Sequence, residues 1–187
     1  NLDRLAEEGA HLANAFVTTS LCSPSRASIL TGQYMRHHRV VDNQRPVPEG
    51  TRFFPEYLQD AGYRTGYVGK WHMGHEDDTP RKGFDHWVSF AGQGTYFDPT
   101  FNINGKRKAF KGYNADLLTD QAVDWLKEVG PASQKGKPFF LQVGYKAVHY
   151  PFQPPPRHAK RYEGKKIDYP ETMANTEENY LSQSHWI

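Results

Sequence analysis

Residues 114–144 read NADLLTDQAVDWLKEVGPASQKGKPFFLQVG. Leu118, Ala122, Trp125 and Val129 recur at helical spacing and form one apolar stripe. The pattern predicts a helix over residues 114–129, with Asn114 as N-cap and Asp116 in the first turn, where the positive helix end favours a carboxylate. Lys137-Pro138 then introduces Phe139 to Gly144, the strongest buried-strand candidate in the chain. A long amphipathic helix running into a short apolar strand is the repeating half of an α/β fold.

The same alternation extends outward. Leu2 to Glu8 reads as a helix closed by Gly9, and His11 to Val17 as a strand. Ser23 suits an N-cap, Pro24 the first helical position, and Gly32 a C-terminal stop. Thr51 to Ala61 reads as a helix with Pro55 in its first turn, followed by a strand from Tyr63 to Val68. Phe101 to Phe110 reads as a hairpin turning at Asn104-Gly105. FQPPPRH, from Phe152, is a stiff polyproline-like loop. Together these predict an α/β layer fold with a mostly parallel sheet. Such folds gather their sites at the carboxyl ends of strands, and Cys22, Lys70, His72 and His149 each follow a predicted strand.

With 187 residues, 37% hydrophobic and 24% charged, the chain is long enough and apolar enough for a real core. A net charge of +2, from 23 basic and 21 acidic residues, is too balanced to point to nucleic acid. One cysteine excludes an internal disulfide. No run approaches a membrane span and no signal-peptide pattern opens the chain. Both ends read as cut within an element, so the expectation is one domain piece over 1–187, truncated at both ends.

Three stretches carry chemistry. Cys22-Ser23-Pro24-Ser25-Arg26 places a thiol at a helix N-terminus, where free N–H groups and the dipole stabilise an anion. Arg26 adds a fork of donors suited to an oxyanion. VGKWHMGH, residues 68–75, presents Lys70 and His72 two apart, on one side if the strand persists. GYKAVHYPFQPP, residues 144–155, carries His149 on a loop stiffened by Pro151. Each stretch alone also fits a plainer role: an inert buried Cys, a solvated Lys beside a hydrogen-bonded His, or a surface His.

Taken together, the three resemble the type I, formylglycine-dependent sulfatase family. The Cys-x-Pro-Ser-Arg match at 22–26 continues through ASILTG at 27–32. GKWHMG at 69–74 is similar to that family's Gly-Lys-Trp-His-x-Gly signature, and KAVHYPFQPP to its His loop. A chance match to the four fixed residues of the first motif is on the order of one in a thousand in a chain this long. The resemblance implies an alkaline-phosphatase-like α/β/α sandwich, present here as a partial domain. It implies hydrolysis of sulfate monoesters. The stretch from Gly92 to Asp120 looks like N-acetylglucosamine-6-sulfatases and bacterial glycosaminoglycan sulfatases, so a sulfated carbohydrate is the expected substrate. Lys106, Arg107, Lys108 and Lys111 would either meet a polyanionic glycan or form a solvated hairpin.

By that resemblance Cys22 is a precursor, oxidised to formylglycine by the formylglycine-generating enzyme, and its hydrate is the nucleophile. Arg26 would steady the hydrate, Lys70 bind a sulfate oxygen, His72 act as base in release, and His149 protonate the leaving oxygen. The resemblance also implies calcium, held by formylglycine at position 22 and by carboxylate and amide ligands outside this chain. Asp3, Asp77 and Asp78 are therefore not taken as ligands, and His75 to Asp78 reads as a solvated loop. Family habit implies a secreted, periplasmic or lysosomal protein; oligomeric state is not legible. The rivals are a phosphomonoester or phosphonate hydrolase of the same superfamily and an inactive glycan-binding relative in which Cys22 stays a thiol.

Overall fold

The computed structural model describes residues 2–174 and 176–181. They divide into two compact units, residues 1–153 and 154–187. In the first unit a five-stranded sheet runs in the order β4-β3-β2-β1-β5. Its strands are β1 (Arg64–Lys70), β2 (His86–Phe90), β3 (Thr100–Ile103), β4 (Lys106–Ala109) and β5 (Phe139–Gly144). The sheet is mixed: β1 pairs in parallel with β2 and β5, whereas β2-β3 and β3-β4 are antiparallel.

Helices cover both faces, giving the expected α/β/α layering. Side chains alternate across a strand, so Tyr67 and its partner Trp87 face one way, Val68 and Val88 the other. On the Tyr67 face, the core holds Ala27 and Leu30 of α2 (Cys22–Thr31) with Trp71, Met73 and Phe53, which precedes α4 (Phe54–Asp60). On the Val68 face it holds Phe90, Phe101 and the stripe residues Leu118 and Ala122 of α5 (Asn114–Ser133). All four residues of the predicted stripe are buried.

The hairpin forms as the sequence predicts. Asn104 and Gly105 have φ of 49° and 91°, the two positive values that a tight twist-matched turn requires. The Asn104 side chain also accepts the backbone N–H of Trp87 at 2.7 Å, tying the turn to β2. β2 itself, HWVSF, went unpredicted, as did the one-turn helix α3 (Met35–His38).

Several local expectations are corrected. His11 to Val17 is not a strand; Phe16 and Val17 lie exposed. An apolar run becomes a strand only where another strand takes its N–H and C=O groups, and none pairs with it among the described residues. Helix α1 (Leu2–Glu8) does form, with no buried residue. Ser23 is not the N-cap of α2: Leu21 holds that position without a side-chain cap. Asn114 is not the cap of α5 either, since the helix starts at Asn114 and its amide donates to Thr95 O. β5 is half-buried rather than buried, being at the sheet edge of the described residues. The second unit holds 3₁₀ turns at Pro156–His158 and Glu171–Met173 and α6 (Glu177–Leu181). No helix of the described residues is long and apolar enough to cross a membrane.

The sheet is tightest where β1 and β5 end. Gly69 has φ of 135°, and a Cβ there would lie 2.0 Å from Gly144 O. Backbone cannot give way as a side-chain tip can. Gly69→Ala should therefore destabilise the protein by on the order of 3 kcal/mol. Gly130 sits inside α5 directly before Pro131, whose ring crowds a Cβ on the preceding helical residue, so Gly130→Ala should not bring the gain of about 0.5–1 kcal/mol that this exchange gives elsewhere inside a helix. The denaturant midpoint should fall clearly for Gly69→Ala and should not rise for Gly130→Ala.

Candidate active site

Cys22 is half-buried at the first position of α2. Its neighbours in the motif fasten that turn to the chain leaving β1. Ser23 donates its hydroxyl to His72 O, and its backbone N–H donates to the Asn43 side chain at 3.0 Å. Arg26 donates to Lys70 O at 2.5 Å. Tyr67 donates its hydroxyl to the same carbonyl. Burial pushes the Tyr67 phenol up to about 12 while the Arg26 guanidinium pulls the other way, so the phenol keeps its proton and stays a donor. Ser23 therefore has a use that its cap-like sequence position hid.

Lys70 closes β1 and is buried, as is His72. The strand does not continue between them: His72 has φ of 51°, so simple alternation does not bring the two together. Gln93 does. Its Oε1 accepts from Lys70 Nζ at 2.5 Å, and its Nε2 lies 3.4 Å from His72 Nε2. Burial lowers the Lys70 ammonium, and Cys22 beside it opposes the shift. Burial first, then the charges of Lys70 and Arg26, lower the His72 imidazole to about 4. His72 is thus a neutral base at ordinary pH.

His149 sits on the loop after β5. Tyr96 donates to its carbonyl oxygen at 2.5 Å. Its Nδ1 lies 2.8 Å from Tyr150 O. A carbonyl only accepts, so Nδ1 carries a proton and Nε2 is the nitrogen left for substrate. Lys146, three residues earlier, is buried, donates to Gln93 O at 3.1 Å and lies 4.8 Å from the centre of the Tyr96 ring. Burial lowers its ammonium. Sequence reasoning missed Gln93, Tyr96 and Lys146. Lys146 stands in the quoted KAVHYPF stretch; Gln93 stands between two glycines, a backbone signal rather than a chemical one.

A cavity of about 630 Å³ opens at Cys22. Arg26, Lys70, Lys146 and His149 line it beside Tyr67, Tyr145 and the apolar Leu21, Ile29 and Val148, and among the described residues no carboxylate does. His72 does not line it and is linked to Lys70 through Gln93. Positive charge without a counter-carboxylate, at a helix N-terminus, fits a tetrahedral anion.

The same chemistry does not fit calcium, which takes six to eight oxygen ligands. Among the described residues no group of three or more His, Cys, Asp or Glu is placed to hold a metal ion. Asp77 is engaged by Thr79 and Arg81. Asp78 is not solvated as its loop suggested. It is buried and accepts from Asn102 at 3.1 Å and Arg107 at 2.9 Å. Arg107 and Lys111, the latter 3.0 Å from Asp98, therefore spend charge within the hairpin region.

The sulfatase family profile matches residues 1–186. The chain is 40% identical over 161 residues to an N-acetylglucosamine-6-O-sulfatase of Bacteroides thetaiotaomicron, covering 84% of this chain and 27% of that protein. It is 30% identical to the human N-acetylglucosamine-6-sulfatase, covering 85% and 32%, and 30% identical to an extracellular sulfatase SULF-1 homolog of Drosophila melanogaster, covering 83% and 15%. Among solved structures, BT4656 in complex with its substrate D-glucosamine-2-N,6-O-disulfate superposes with a TM-score of 0.83 at 36% identity, over 91% of this chain and 34% of that one. The chain spans about a third or less of each of these relatives. Its sheet and helices are part of the alkaline-phosphatase-like fold of such structures, and the chain belongs to the sulfatase family.

Proposed function

We propose that the protein carrying this chain hydrolyses a sulfate monoester on a carbohydrate, with Cys22 converted to formylglycine by the formylglycine-generating enzyme. The observation that carries this reading is the cavity itself: a half-buried Cys22 at a helix N-terminus, walled by Arg26, Lys70, Lys146 and His149 with no carboxylate among the described residues. The sulfated glucosamine in the BT4656 complex supports a sulfated amino sugar as the substrate class. The extracellular name of the fly relative supports a place outside the cytoplasm.

Hydrated formylglycine carries two hydroxyls on one carbon. One hydroxyl gives its proton to solvent as its oxygen attacks sulfur, the S–O bond to the sugar breaks, and the departing oxygen takes a proton from Nε2 of the doubly protonated His149, which regains it from water. Lys70 and Arg26 hold negative charge on the sulfate and hydrate oxygens. The second hydroxyl then gives its proton to neutral His72. Its oxygen forms the aldehyde C=O as the C–O bond to sulfate breaks, and water rehydrates the aldehyde. A serine in place of the hydrate has no second hydroxyl and no such release. Because the residues present do not form a calcium site, no step is assigned to calcium; its ligands, on this reading, come from elsewhere in the whole protein.

In the full-length protein, Cys22→Ala should abolish turnover while leaving the fold intact. The mass of the Cys22 peptide should match the aldehyde when the modifying enzyme is present. A thiol mass in active protein, or full activity of the variant, ends the formylglycine reading. Faster turnover of phosphate than sulfate esters would assign the phosphatase rival instead.

His149→Ala should lose roughly 10²–10⁴-fold on a sulfated sugar, whose alkoxide leaves poorly, and much less on nitrophenyl sulfate. Equal losses would mean that the imidazole only braces its loop through Tyr150 O. His72 supplies a pH test. Its folded value, about 4, lies below the ordinary 6.5. The unfolded chain therefore binds a proton that the folded chain refuses between these values, and stability falls as pH drops from 6.5 towards 4. His72→Asn should flatten that part of the stability profile in denaturant titrations; an unchanged slope would show that His72 titrates normally.

A further inference from the structure

We propose that Gln93 is a positioning residue of this site: its side-chain amide anchors the Lys70 ammonium and sets the His72 ring in a single tautomer. This deepens the sulfatase reading and rests on it for the reaction, although the orientation of the ring is measurable without turnover.

The loop that presents Gln93 is built for the purpose. Gly92 and Gly94 flank it with φ of 52° and 62°. A Cβ on Gly92 would lie 2.6 Å from Glu76 Oε1, and one on Gly94 2.4 Å from the Phe90 ring. A side chain at Gly94 would meet the Phe90 ring, and one at Gly92 would need the tip of Glu76 to move and a left-handed backbone that L residues rarely adopt, so the AGQG turn at the end of β2 favours one placement of the glutamine. From there it meets three elements. Its carbonyl oxygen receives Lys146 from the loop after β5. Its amide receives Lys70 at the end of β1 and reaches His72 beyond it.

The direction of the amide follows from its partners. Lys70 has only N–H donors, so the amide oxygen must face it. The NH₂ group must then face His72 Nε2, which can only be the lone-pair nitrogen, and the ring proton is confined to Nδ1. Nδ1 is buried with no partner among the described residues. Left alone, neither ring nitrogen would have a partner among the described residues and the two tautomers would compete, because a buried unpartnered N–H is costly in either place. The oriented amide is the group that decides between them. At 3.4 Å the contact orients the lone pair without locking it, so Nε2 still accepts the hydrate proton when sulfate is released.

The test uses the full-length protein with ¹⁵N-labelled histidine. Two-bond ¹H–¹⁵N spectra, assigned with His72→Asn, report which ring nitrogen of His72 carries hydrogen. The wild type should show Nδ1–H. Gln93→Leu removes the donor and should leave the two tautomers mixed, and Gln93→Glu keeps an acceptor for Lys70 while turning an acceptor towards Nε2 and should move hydrogen there. With either variant kcat should fall about 10- to 100-fold, equally on sulfated sugar and nitrophenyl sulfate, because the defect lies in sulfate handling and not in the leaving group. Gln93→Glu guards against misfolding, since its carboxylate pairs with Lys70. Three results would overturn the inference: Nε2–H in the wild type, a tautomer unchanged in both variants whatever the activity, or a flipped tautomer with wild-type kcat. Full activity of Cys22→Ala would instead sink the formylglycine reaction and leave the tautomer result standing.

Discussion

The carbonyl oxygen of Lys70 accepts from Arg26 and from Tyr67, and two residues on the carbonyl oxygen of His72 accepts from Ser23. These bonds join the first turn of α2 to the chain leaving β1. They depend in turn on Gly69 and Gly144, whose close approach lets the ends of β1 and β5 lie side by side. Cys22, Lys70, His72 and His149 are carried by three separate segments. Without this junction nothing would hold the thiol against the lysine, or the histidine loop over both.

The electrostatics follow from burial at the junction. Lys70 and Lys146 are buried, with the half-buried Arg26 beside them, in a cavity that no carboxylate of the described residues lines. Their mutual repulsion is a standing cost that a bound dianion or monoanion relieves. Burial keeps His72 neutral in the first place, and the same field adds to it, since each neighbouring cation disfavours another. An arrangement poor for a hard cation by itself is thus well suited to an anionic ester, and Asp77 and Asp78 are spent on Thr79, Arg81, Asn102 and Arg107 rather than on the cavity.

Much of the fold was legible from period and turn chemistry. The stripe Leu118, Ala122, Trp125 and Val129 is local information, and so are the Asn104-Gly105 turn and the glycine stop at Gly32, whose φ is 67°. The reading failed where a partner decides. His11 to Val17 has strand composition and no strand beside it. HWVSF is short and became β2 because β1 offers it a register, Tyr67 against Trp87. Ser23 and Asn114 both look like caps, yet their side chains are drawn to His72 O and Thr95 O, which are far away in sequence.

The sequence by itself determined the membership of the chain, the identity of its nucleophile candidate and the α/β alternation, because motifs and hydrophobic periods are written in consecutive residues. Only the tertiary structure decided that Gln93 joins Lys70 to His72, that Lys146 enters the cavity, and that Asp78 is buried against Arg107. Strand alternation would have put Lys70 and His72 on one side, but the strand ends at Lys70 and the chain turns through a positive φ. Hydrogen bonds and burial act between groups close in space, and folding sets that closeness through contacts between residues tens of positions apart, which no local pattern encodes.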